Sequence, residues 1–555
     1  MQDRESIEAE VTEQSESKCP MYDSTTKTKQ QQNPIHGFVS DDPQLPKREI
    51  AFYLVALVSI IAYAGHGFYL TYGINLHENL PAELLKPGWM RDFKDGSADA
   101  LLEKSTENWK NLLVALAGFL LVSKASLATA PIELHYLVCS AYALMLVFLA
   151  VSFEAVLWLI VAYFVTLCLA YWSFLAVWIF VGSLLYVMNS HGAATLFLDY
   201  LNIDGDSGPT FAALYGYALC RFISLGHAMQ QELSGELKTA GFWRYLRSNL
   251  FLTLHYSFYM PYLWCGPILT YDDFCKQLKV RARNIAVDGR TASLVAWRAC
   301  RLVFWYCILE IIYHNLPVGT YLDLLSPDDA IVYKHLAFAM FFHGQIFMLL
   351  YVQYYGWPAA LALLDGIQLF HWPDCISWVY SYSIMWRVFD RGLFAMMRSH
   401  LYIPLGGSRH GPVRQMLAIM ATFAFISLFH GDSTNVRAWA ALNFCQLLIE
   451  RCAAFVYYSH ARSIVKRYLS PQNEKRLIGY IIAWNMMASC GIIFFFLSGM
   501  NGFIIFPEFL LLRSNSRHTP VWHMLTMQFA AYCAVQIGRY YEAKLKPSLC
   551  KHVKE

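Results

Sequence analysis

The chain has 555 residues, of which 57% are hydrophobic and only 15% are charged, against roughly 25% charged residues in an average soluble domain. A soluble protein of this length needs several cores to bury so much apolar surface, so lipid is the simpler surrounding. The net charge of +3 is close to neutral, and we expect no nucleic acid among the partners.

The fourteen cysteines contain no Cys-x-x-Cys pair and follow no regular spacing. Most of them lie inside apolar runs. This distribution argues against a disulfide framework and against a zinc site.

Three segments follow from the composition. Residues 1–46 are polar, acidic and rich in Ser, Thr and Gln, which predicts a disordered cytosolic tail. Residues 47–545 are predicted to form the membrane domain. Residues 546–555 form a second cytosolic tail.

Long apolar runs predict an all-α, polytopic membrane protein with about ten to twelve transmembrane helices. The shorter candidates could be re-entrant. Stretches 210–230 and 376–400 mix polar and apolar residues, which predicts interfacial or broken helices that line a wet space. The candidate spans lie near 50–73, 112–130, 134–152, 155–170, 172–189, 251–270, 293–315, 332–356, 412–429, 436–458, 476–498 and 520–540.

The loops carry an orientation signal. Basic residues concentrate in 271–292, 398–414 and 459–476, whereas the loop 74–110 is rich in acids. The positive-inside rule places the basic loops in the cytosol and the acidic loop in the lumen. Both termini are then cytosolic, and His430 falls at the lumenal end of its helix.

His430 is the first ionisable residue that does not belong in lipid. It ends the apolar run that begins near Pro412. Ionisable groups inside a membrane are candidate functional groups by default. A histidine here could be a catalytic base, a simple cap at the interface, or a partner for a neighbouring helix, with Asn443 as a possible partner of the ring.

Asp390 is the second, in the stretch MWRVFDRGLF. On a continuous helix, Trp386, Asp390 and Leu393 share one face. Arg387 and Arg391 flank the acid. A local ion pair with either arginine is therefore the structural alternative to a functional role.

Cys375 is the third. Pro373 and Asp374 before it resemble a helix start. A single helix running from Cys375 to Asp390 would separate the two by about 22 Å, too far for direct action. A thiol at a helix N-terminus has a lowered pKa and could ligate a metal or haem. A plain buried cysteine is the alternative.

The segment YIPLGGSRHG, 402–411, follows closely. Gly406 and Gly407 are expected to break the helix and expose backbone N–H groups. Arg398, Arg409 and nearby basic residues surround them, which suits a phosphate. An ordinary loop beside anionic lipid headgroups is the alternative.

Taken in order, MWRVFDRGLFAMMRSHLYIPLGGSRHG (385–411), MATFAFISLFHG, WAALN and GPILTYDDFCKQL (266–278) resemble the membrane-bound O-acyltransferase (MBOAT) superfamily. Within it they resemble the hedgehog acyltransferase subfamily of protein-cysteine N-palmitoyltransferases. The resemblance is strongest from about residue 255 to 460, and it implies that this stretch is the catalytic core of the membrane domain. It implies the MBOAT fold, in which helices surround a central tunnel.

The resemblance also implies roles for individual residues. His430 matches the catalytic histidine, and Asp390 matches the acid of this subfamily. Trp386 falls beside the acyl-CoA, Arg387 and Arg398 fall near the CoA phosphates, and Asn443 joins them as a substrate-binding residue. Cys375 matches a cysteine that binds haem iron, which implies haem as a structural cofactor.

The expected function follows from this resemblance. Palmitoyl-CoA is the expected cytosolic donor, and the expected acceptor is the N-terminal cysteine of a secreted hedgehog-like or EGF-like ligand. The expected location is the endoplasmic reticulum (or Golgi) membrane, with membrane lipids as further partners. An O-acyltransferase that acts on a lysolipid or glycolipid, and a non-catalytic membrane regulator, are the two alternatives.

Overall fold

The computed structural model describes residues 45–96, 109–205, 207–233, 242–264, 266–281, 287–325, 333–431, 433–504 and 521–545. Apart from Leu45 and Pro46, the predicted tail 1–46 lies outside the described residues. The predicted tail 546–555 does so too.

The described chain is almost entirely helical, as the sequence predicts. One short antiparallel hairpin, β1 (Leu85–Pro87) and β2 (Phe93–Asp95), interrupts the helices. The α-helices are α1 Lys47–Phe68, α2 Leu76–Asn79, α3 Trp109–Thr129, α4 Ile132–Ala150, α5 Phe153–Trp172, α6 Phe174–Asn189, α7 His191–Tyr200, α8 Gly208–Leu233, α9 Phe242–Ser257, α10 Tyr271–Arg281, α11 Gly289–Asn315, α12 Val318–Asp323, α13 Tyr333–Leu364, α14 Tyr382–Val388, α15 Arg391–Met397, α16 Pro412–His430, α17 Thr434–Val456, α18 Arg462–Tyr468, α19 Pro471–Leu497 and α20 Val521–Tyr540.

Eight helices of the described chain are long and apolar enough to cross a bilayer, or nine if the bent pair α6 and α7 makes one span. These helices account for most of the predicted candidates and make the chain a polytopic membrane protein. The candidates 293–315 and 520–540 are helical but fall outside this set of eight.

The candidate span 251–270 is wrong. Helix α9 ends at Ser257, and Pro261 and Gly266 follow in an irregular segment that is buried in the protein. Tyrosine hydroxyls bind backbone carbonyls around it: Tyr256 donates to the Leu269 carbonyl at 2.8 Å, and Tyr262 donates to the Tyr256 carbonyl at 3.0 Å. Non-helical backbone is tolerated at membrane depth only when it is paired in this way.

The prediction for 210–230 is also wrong. This stretch belongs to one unbroken helix, α8, and not to an interfacial or broken one. Its small and aromatic residues place it at the centre of the largest apolar cluster, where Phe211, Ala218 and Phe222 are fully buried. α8 packs against α5 and α6. Helix α8 is therefore a buried, central helix of the bundle.

A separate apolar cluster holds the region that carries most of the predicted site residues. It joins α14, α16, α17 and α19, with Phe423, Trp439 and Phe495 among its buried members and Trp386 packed against it. Another cluster, around α13, includes Phe68 of α1 and Leu322 of α12. Contacts between helices thus bring distant parts of the sequence around α17.

Polar contacts fix both ends of the bundle. At one end, Asp95 of β2 accepts hydrogen bonds from the Gly319 and Thr320 amides at 2.8 and 3.0 Å and caps α12. At the other end, Glu49 of α1 pairs with Arg476 of α19 at 2.6 Å. Pairs of this kind hold helices in register where hydrophobic contact alone is not directional.

Candidate active site

His430 is the last residue of α16, and Gly431 ends the helix with a φ of +124°. Glycine adopts this backbone conformation at little cost. The eighteen steps from Pro412 to His430 cover about 27 Å along the helix axis, which places the ring at the end of the span opposite to Pro412. The predicted position of His430 at a helix end is therefore confirmed.

Three aromatic rings surround the half-buried His430 imidazole. The ring centroids of Phe496, Phe429 and Trp439 lie 4.9, 5.1 and 5.7 Å from it, and all three rings stand nearly perpendicular to it. No hydrogen bond joins the imidazole to another described residue. The ring is thus oriented by edge-to-face packing, and its nitrogens make no hydrogen bond within the described chain.

Asn443 does not pair with the His430 ring. It is fully buried on α17, and its amide nitrogen donates to the Trp439 carbonyl one turn earlier, at 2.6 Å. The amide oxygen has no hydrogen-bond partner within the described chain. Asn443 therefore offers a buried acceptor one turn from Trp439, which contacts His430 directly.

Trp386 of α14 lies one ring away from His430. Its centroid is 5.8 Å from Trp439 and 5.0 Å from Phe423 of α16. The two tryptophans and His430 form a continuous row of rings. An apolar row of this kind suits an acyl chain better than a polar ligand.

Asp390 separates α14 from α15 and does not lie within one helix. The predicted common face of Trp386, Asp390 and Leu393 is wrong, because the aspartate is the N-cap of α15. One carboxylate oxygen accepts a hydrogen bond from the Leu393 amide at 2.9 Å. Aspartate is among the best N-cap residues, and it supplies an acceptor that the first turn of a helix lacks.

The second oxygen of Asp390 begins a chain of hydroxyls. Tyr355 of α13 donates to it at 2.6 Å, and the Tyr355 hydroxyl lies 3.1 Å from the hydroxyl of Tyr217 on α8. The Tyr217 ring contacts Phe429, at 6.0 Å, next to His430. Asp390 and His430 are therefore connected through two tyrosines and a phenylalanine.

The local ion pair considered for Asp390 is not formed. Arg391 instead bonds Asp374, at 2.6 Å. Gly392 fixes the position of the acid, because a Cβ there would lie 2.5 Å from the Ile268 amide nitrogen. α15 thus rests directly on the backbone of the GPIL segment, which the sequence analysis singled out without a structural reason.

Arg387 lies at the end of α14, close to a second arginine. Arg451 of α17 is half-buried, and Arg387, Glu450 and Tyr402 are the charged or titratable groups that act on it. Two of the Arg451 nitrogens have no partner among the described residues. Arg451, with free donors and a second cation beside it, is suited to bind an anion of more than one charge.

Glu450 acts electrostatically on Arg451, but it forms no ion pair with either arginine within the described chain, and its oxygens bind other groups. It accepts hydrogen bonds from the Ser381 hydroxyl at 2.8 Å, the Ser383 hydroxyl at 2.6 Å and the Tyr382 amide at 2.8 Å. These bonds fix the start of α14 against α17. The acid therefore acts as an external cap for the helix that carries Trp386 and Arg387.

Arg398 is exposed and opens a short π-helical turn that ends at Tyr402. The predicted phosphate nest beyond it is wrong, because the Gly406 and Gly407 amides already donate to the carbonyls of Ile403 and Tyr402, at 3.0 and 2.9 Å. Any anion here would be held by side chains. Arginines remain charged at every physiological pH.

His400, in the same turn, adds no charge to this region. Burial lowers the pKa of His400 to about 4, and the neighbouring His227 of α8 lowers it further when it is charged. The two rings lie 4.7 Å apart in an edge-to-face arrangement. At neutral pH this contact is therefore one of packing.

Cys375 is half-buried and starts a 3₁₀ turn, so the expected N-terminus of an α-helix is not present. The chain then folds back, and the Asp374 amide donates to the Val388 carbonyl at 3.3 Å. The large separation from Asp390 that a single helix would give is therefore wrong. Cys375 packs against the apolar cluster around α13, and the next amide, of Ile376, contacts the Met348 sulfur at 3.4 Å.

Four residues of this region were not predicted from the sequence: Tyr217, Tyr355, Glu450 and Arg451. The last two interrupt the apolar run 436–458, and ionisable residues within such a run are a recognisable signal. The tyrosines carry no such signal, since aromatic residues are common throughout the chain. Only the meeting of α8 and α13 brings their hydroxyls together.

Comparison with known proteins places these residues in a family. The chain is similar to the protein-cysteine N-palmitoyltransferase HHAT of Mus musculus, at 33% identity over 41% of this chain and 46% of that protein. It is also similar to the protein-cysteine N-palmitoyltransferase Rasp of Drosophila melanogaster, at 27% identity over 52% of this chain and 56% of that protein. The match thus spans about half the length of these two relatives.

A longer match joins the chain to the protein-cysteine N-palmitoyltransferase HHAT-like protein of Mus musculus, at 25% identity over 90% of this chain and 96% of that protein. The sequence model of the MBOAT, membrane-bound O-acyltransferase family, matches residues 167–500. That range is more than half of the chain and contains every predicted site residue. The chain therefore belongs to the membrane-bound O-acyltransferase family.

Proposed function

We propose that this chain transfers a palmitoyl group from palmitoyl-CoA to the N-terminal cysteine of a secreted, hedgehog-like or EGF-like signalling protein. The names of the relatives at 33% and 27% identity support this activity. The observation that carries the proposal is the imidazole of His430, which three rings orient and no described residue engages. Such a ring is available to take a proton from an acceptor.

The proposed chemistry is acyl transfer from a thioester to an amine. The amine nitrogen attacks the thioester carbonyl carbon, the carbon–sulfur bond breaks, and CoA leaves as the thiol. His430 removes the proton from the amine and returns it to the CoA sulfur. An α-amine has a reference pKa of about 7.7–8.0, so a neutral imidazole is a sufficient base.

Asp390 is proposed as the acid that sets the geometry between donor and base. It orients Tyr355 directly and Tyr217 indirectly, through bonds of 2.6 and 3.1 Å. Trp386 is proposed to line the acyl chain, because it belongs to the row of rings that leads to His430. Asn443 is proposed to hold the donor through its unpaired amide oxygen.

The phosphates of CoA are proposed to bind at Arg387 and Arg398, and Arg451 is added to this group. The proximity of Arg387 to Arg451 supports the assignment, because two Arg451 nitrogens have no partner among the described residues and Arg451 forms no ion pair there with Glu450. A phosphate group relieves the repulsion between two guanidinium groups and uses their free donors.

Haem binding through Cys375 is proposed as a structural feature. The half-buried Cys375 thiol, packed against an apolar cluster, would be the residue that holds the haem iron as a thiolate. The group would hold the 371–378 segment against α13. Purified protein should then show a Soret band that Cys375→Ala abolishes, and an unchanged spectrum in the variant would remove Cys375 from this role.

The proposed location is the endoplasmic reticulum membrane, with both termini in the cytosol. The basic stretches 398–414 and 459–476 support this orientation, since they adjoin the ends of α16 and α17 that are opposite to His430. The donor then enters from the cytosol, and the acceptor reaches His430 from the lumen. Protease protection of epitope tags at the two termini tests the orientation.

The function is tested with His430→Ala in membranes, using palmitoyl-CoA and a peptide with an N-terminal cysteine. Palmitoylation should fall at least 100-fold, as expected for the loss of a general base. His460→Ala is the matched control, because His460 is exposed in the turn after α17. Mass spectrometry of the peptide measures the product.

A lysolipid offered beside the peptide decides the acceptor class. Acylation of the peptide alone supports the proposal. Acylation of the lysolipid alone would identify an O-acyltransferase instead. Wild-type rates in His430→Ala would remove the imidazole from the reaction.

A further inference from the structure

Arg221 is a fully buried cation near the middle of α8. Its side chain is 1% exposed, although arginine is almost never buried completely unless it is paired. One terminal nitrogen, Nη1, donates to the Tyr262 carbonyl at 2.6 Å. The guanidinium also lies over the Tyr262 ring, 5.2 Å from its centroid.

The remaining edge of the Arg221 guanidinium is not satisfied. Nε and Nη2 are buried and have no hydrogen-bond partner among the described residues. Within the described chain the guanidinium forms no ion pair with a carboxylate, and its titratable neighbours include Tyr262, Tyr256 and Cys220. A buried charge with unpaired donors is strongly unfavourable, so an acceptor from outside the chain is expected to complete this site.

The position of Arg221 points to the candidate active site. Tyr217, four residues earlier, lies on the same face of α8 and about 6 Å away along the helix axis. That tyrosine is bonded to Tyr355 and touches Phe429, the neighbour of His430. Further along α8, His227 contacts His400 at the opposite end of the site. Arg221 therefore lies between the His430 ring and the end that carries Arg398.

The chemistry of the surroundings selects the kind of acceptor. Asp390 acts electrostatically on both Tyr217 and Cys220, beside Arg221, so a second anion at this level would meet a carboxylate. A carbonyl oxygen has no charge and has two lone pairs, which can accept from Nε and Nη2 together. In a donor stretched from the arginines to His430, the groups at this depth are the pantetheine amides and the thioester.

We propose that Arg221 binds a carbonyl oxygen of the acyl-CoA, either a pantetheine amide or the thioester, through Nε and Nη2. This assignment rests on the proposed function, since it requires acyl-CoA as the donor. Arg221 then fixes the depth at which the donor lies beside Asp390. It is a donor-binding residue that neither the apolar pattern nor the resemblance indicated.

The test measures donor binding by the full chain in nanodiscs, without an acceptor. Two probes are compared: palmitoyl-CoA, and S-hexadecyl-CoA, a thioether that lacks the thioester carbonyl. Arg221→Gln should weaken palmitoyl-CoA binding about 10- to 100-fold, as expected for the loss of hydrogen bonds from a charged group. The thioether identifies which carbonyl is bound.

Two outcomes support the proposal and distinguish the carbonyls. If Arg221→Gln weakens the binding of both probes equally, the partner is a pantetheine amide. If it weakens only palmitoyl-CoA binding, the partner is the thioester. Arg539→Gln is the matched control, because Arg539 also donates Nη1 to a backbone carbonyl, of Lys475 at 2.9 Å, but lies on α20. Its affinity for both probes should equal that of wild type.

Equal affinity of wild type and Arg221→Gln for both probes would overturn the assignment. Arg221→Lys carries the same test if the glutamine variant does not fold, because lysine keeps the charge and a donor for the Tyr262 carbonyl but loses the second edge. A wild-type protein that binds neither probe would overturn the proposed function and this assignment with it. Bound donor with no peptide product would overturn the proposed function alone.

Discussion

Two aspartates, Asp365 and Asp390, have similar hydrogen bonds but lie in different networks of side chains. Asp365 is fully buried after α13 and accepts hydrogen bonds from the Ser123 hydroxyl at 2.6 Å and the Tyr259 hydroxyl at 2.8 Å. Asp390 is half-buried and accepts one tyrosine hydroxyl and one amide. By hydrogen bonding alone, the two acids are nearly equivalent.

The two acids differ in the surroundings of the tyrosines that donate to them, Tyr259 for Asp365 and Tyr355 for Asp390. Tyr259 packs among rings of the largest apolar cluster, such as Phe119 and Phe274. The Tyr355 hydroxyl also forms a hydrogen bond with Tyr217, and the Tyr217 ring contacts Phe429 beside His430. A buried, hydrogen-bonded acid is thus a functional candidate only when its network leads to a reactive group.

The largest expected effect is on folding, from Asp365→Ala. Removal of the carboxylate leaves the hydroxyls of Ser123 and Tyr259 without this acceptor, and the free energy of unfolding should fall by about 3–5 kcal/mol. Thermal unfolding of the purified protein measures the loss. A variant as stable as wild type would show that Asp365 does not hold α3 to α13.

The next effect is on turnover, from Asp390→Asn. Palmitoyl transfer should fall about 100-fold, a typical value for a group that sets up acid–base chemistry. Asparagine caps a helix as well as aspartate does, so the free energy of unfolding should change by less than about 1 kcal/mol. Asp365→Asn is the control, and its folded fraction should turn over at the wild-type rate. Equal losses of turnover in Asp390→Asn and Asp365→Asn would show that the two acids do not differ in function.

The smallest expected effects come from removing the hydroxyl of Tyr355 or of Tyr259. Tyr355→Phe and Tyr259→Phe each remove one hydroxyl donor from a carboxylate, so each should lower the free energy of unfolding by about 1–2 kcal/mol. Only Tyr355→Phe should also lower turnover, by about tenfold. Unfolding temperatures and initial rates, measured on the same preparations, test both parts. A slower Tyr259→Phe enzyme would place Asp365 in the functional network as well.

The sequence was sufficient for the fold class and for His430. An apolar run of nineteen residues, Pro412–His430, forms the span that its composition predicts, and the histidine lies at its end. The segment 251–270 has the same apolar character, but Pro261 and a buried set of tyrosine hydroxyls make it irregular. Hydropathy measures the preference for lipid and contains no information about which backbone groups find partners.

The site was predictable only in part, for a similar reason. The break at Asp390 has a local signal, since aspartate suits the start of a helix better than its interior. The bonds from Ser381 and Ser383 to Glu450 join residues almost seventy positions apart. The free edge of Arg221 appears only once α8 has packed against the 258–270 segment. These features depend on tertiary contacts that no local pattern encodes.

Helix α17 also sets the distance between the two ends of the candidate site. Trp439 touches the His430 ring, and Arg451 stands twelve residues further along the same rigid rod, about 18 Å away along its axis. Straight helices hardly stretch, so this interval is set by the number of residues between the two. If the proposed donor extends from Arg451 to Trp439, the distance between these residues selects donors by length. A thioester on a shorter carrier, bound at Arg451, would not reach the His430 imidazole.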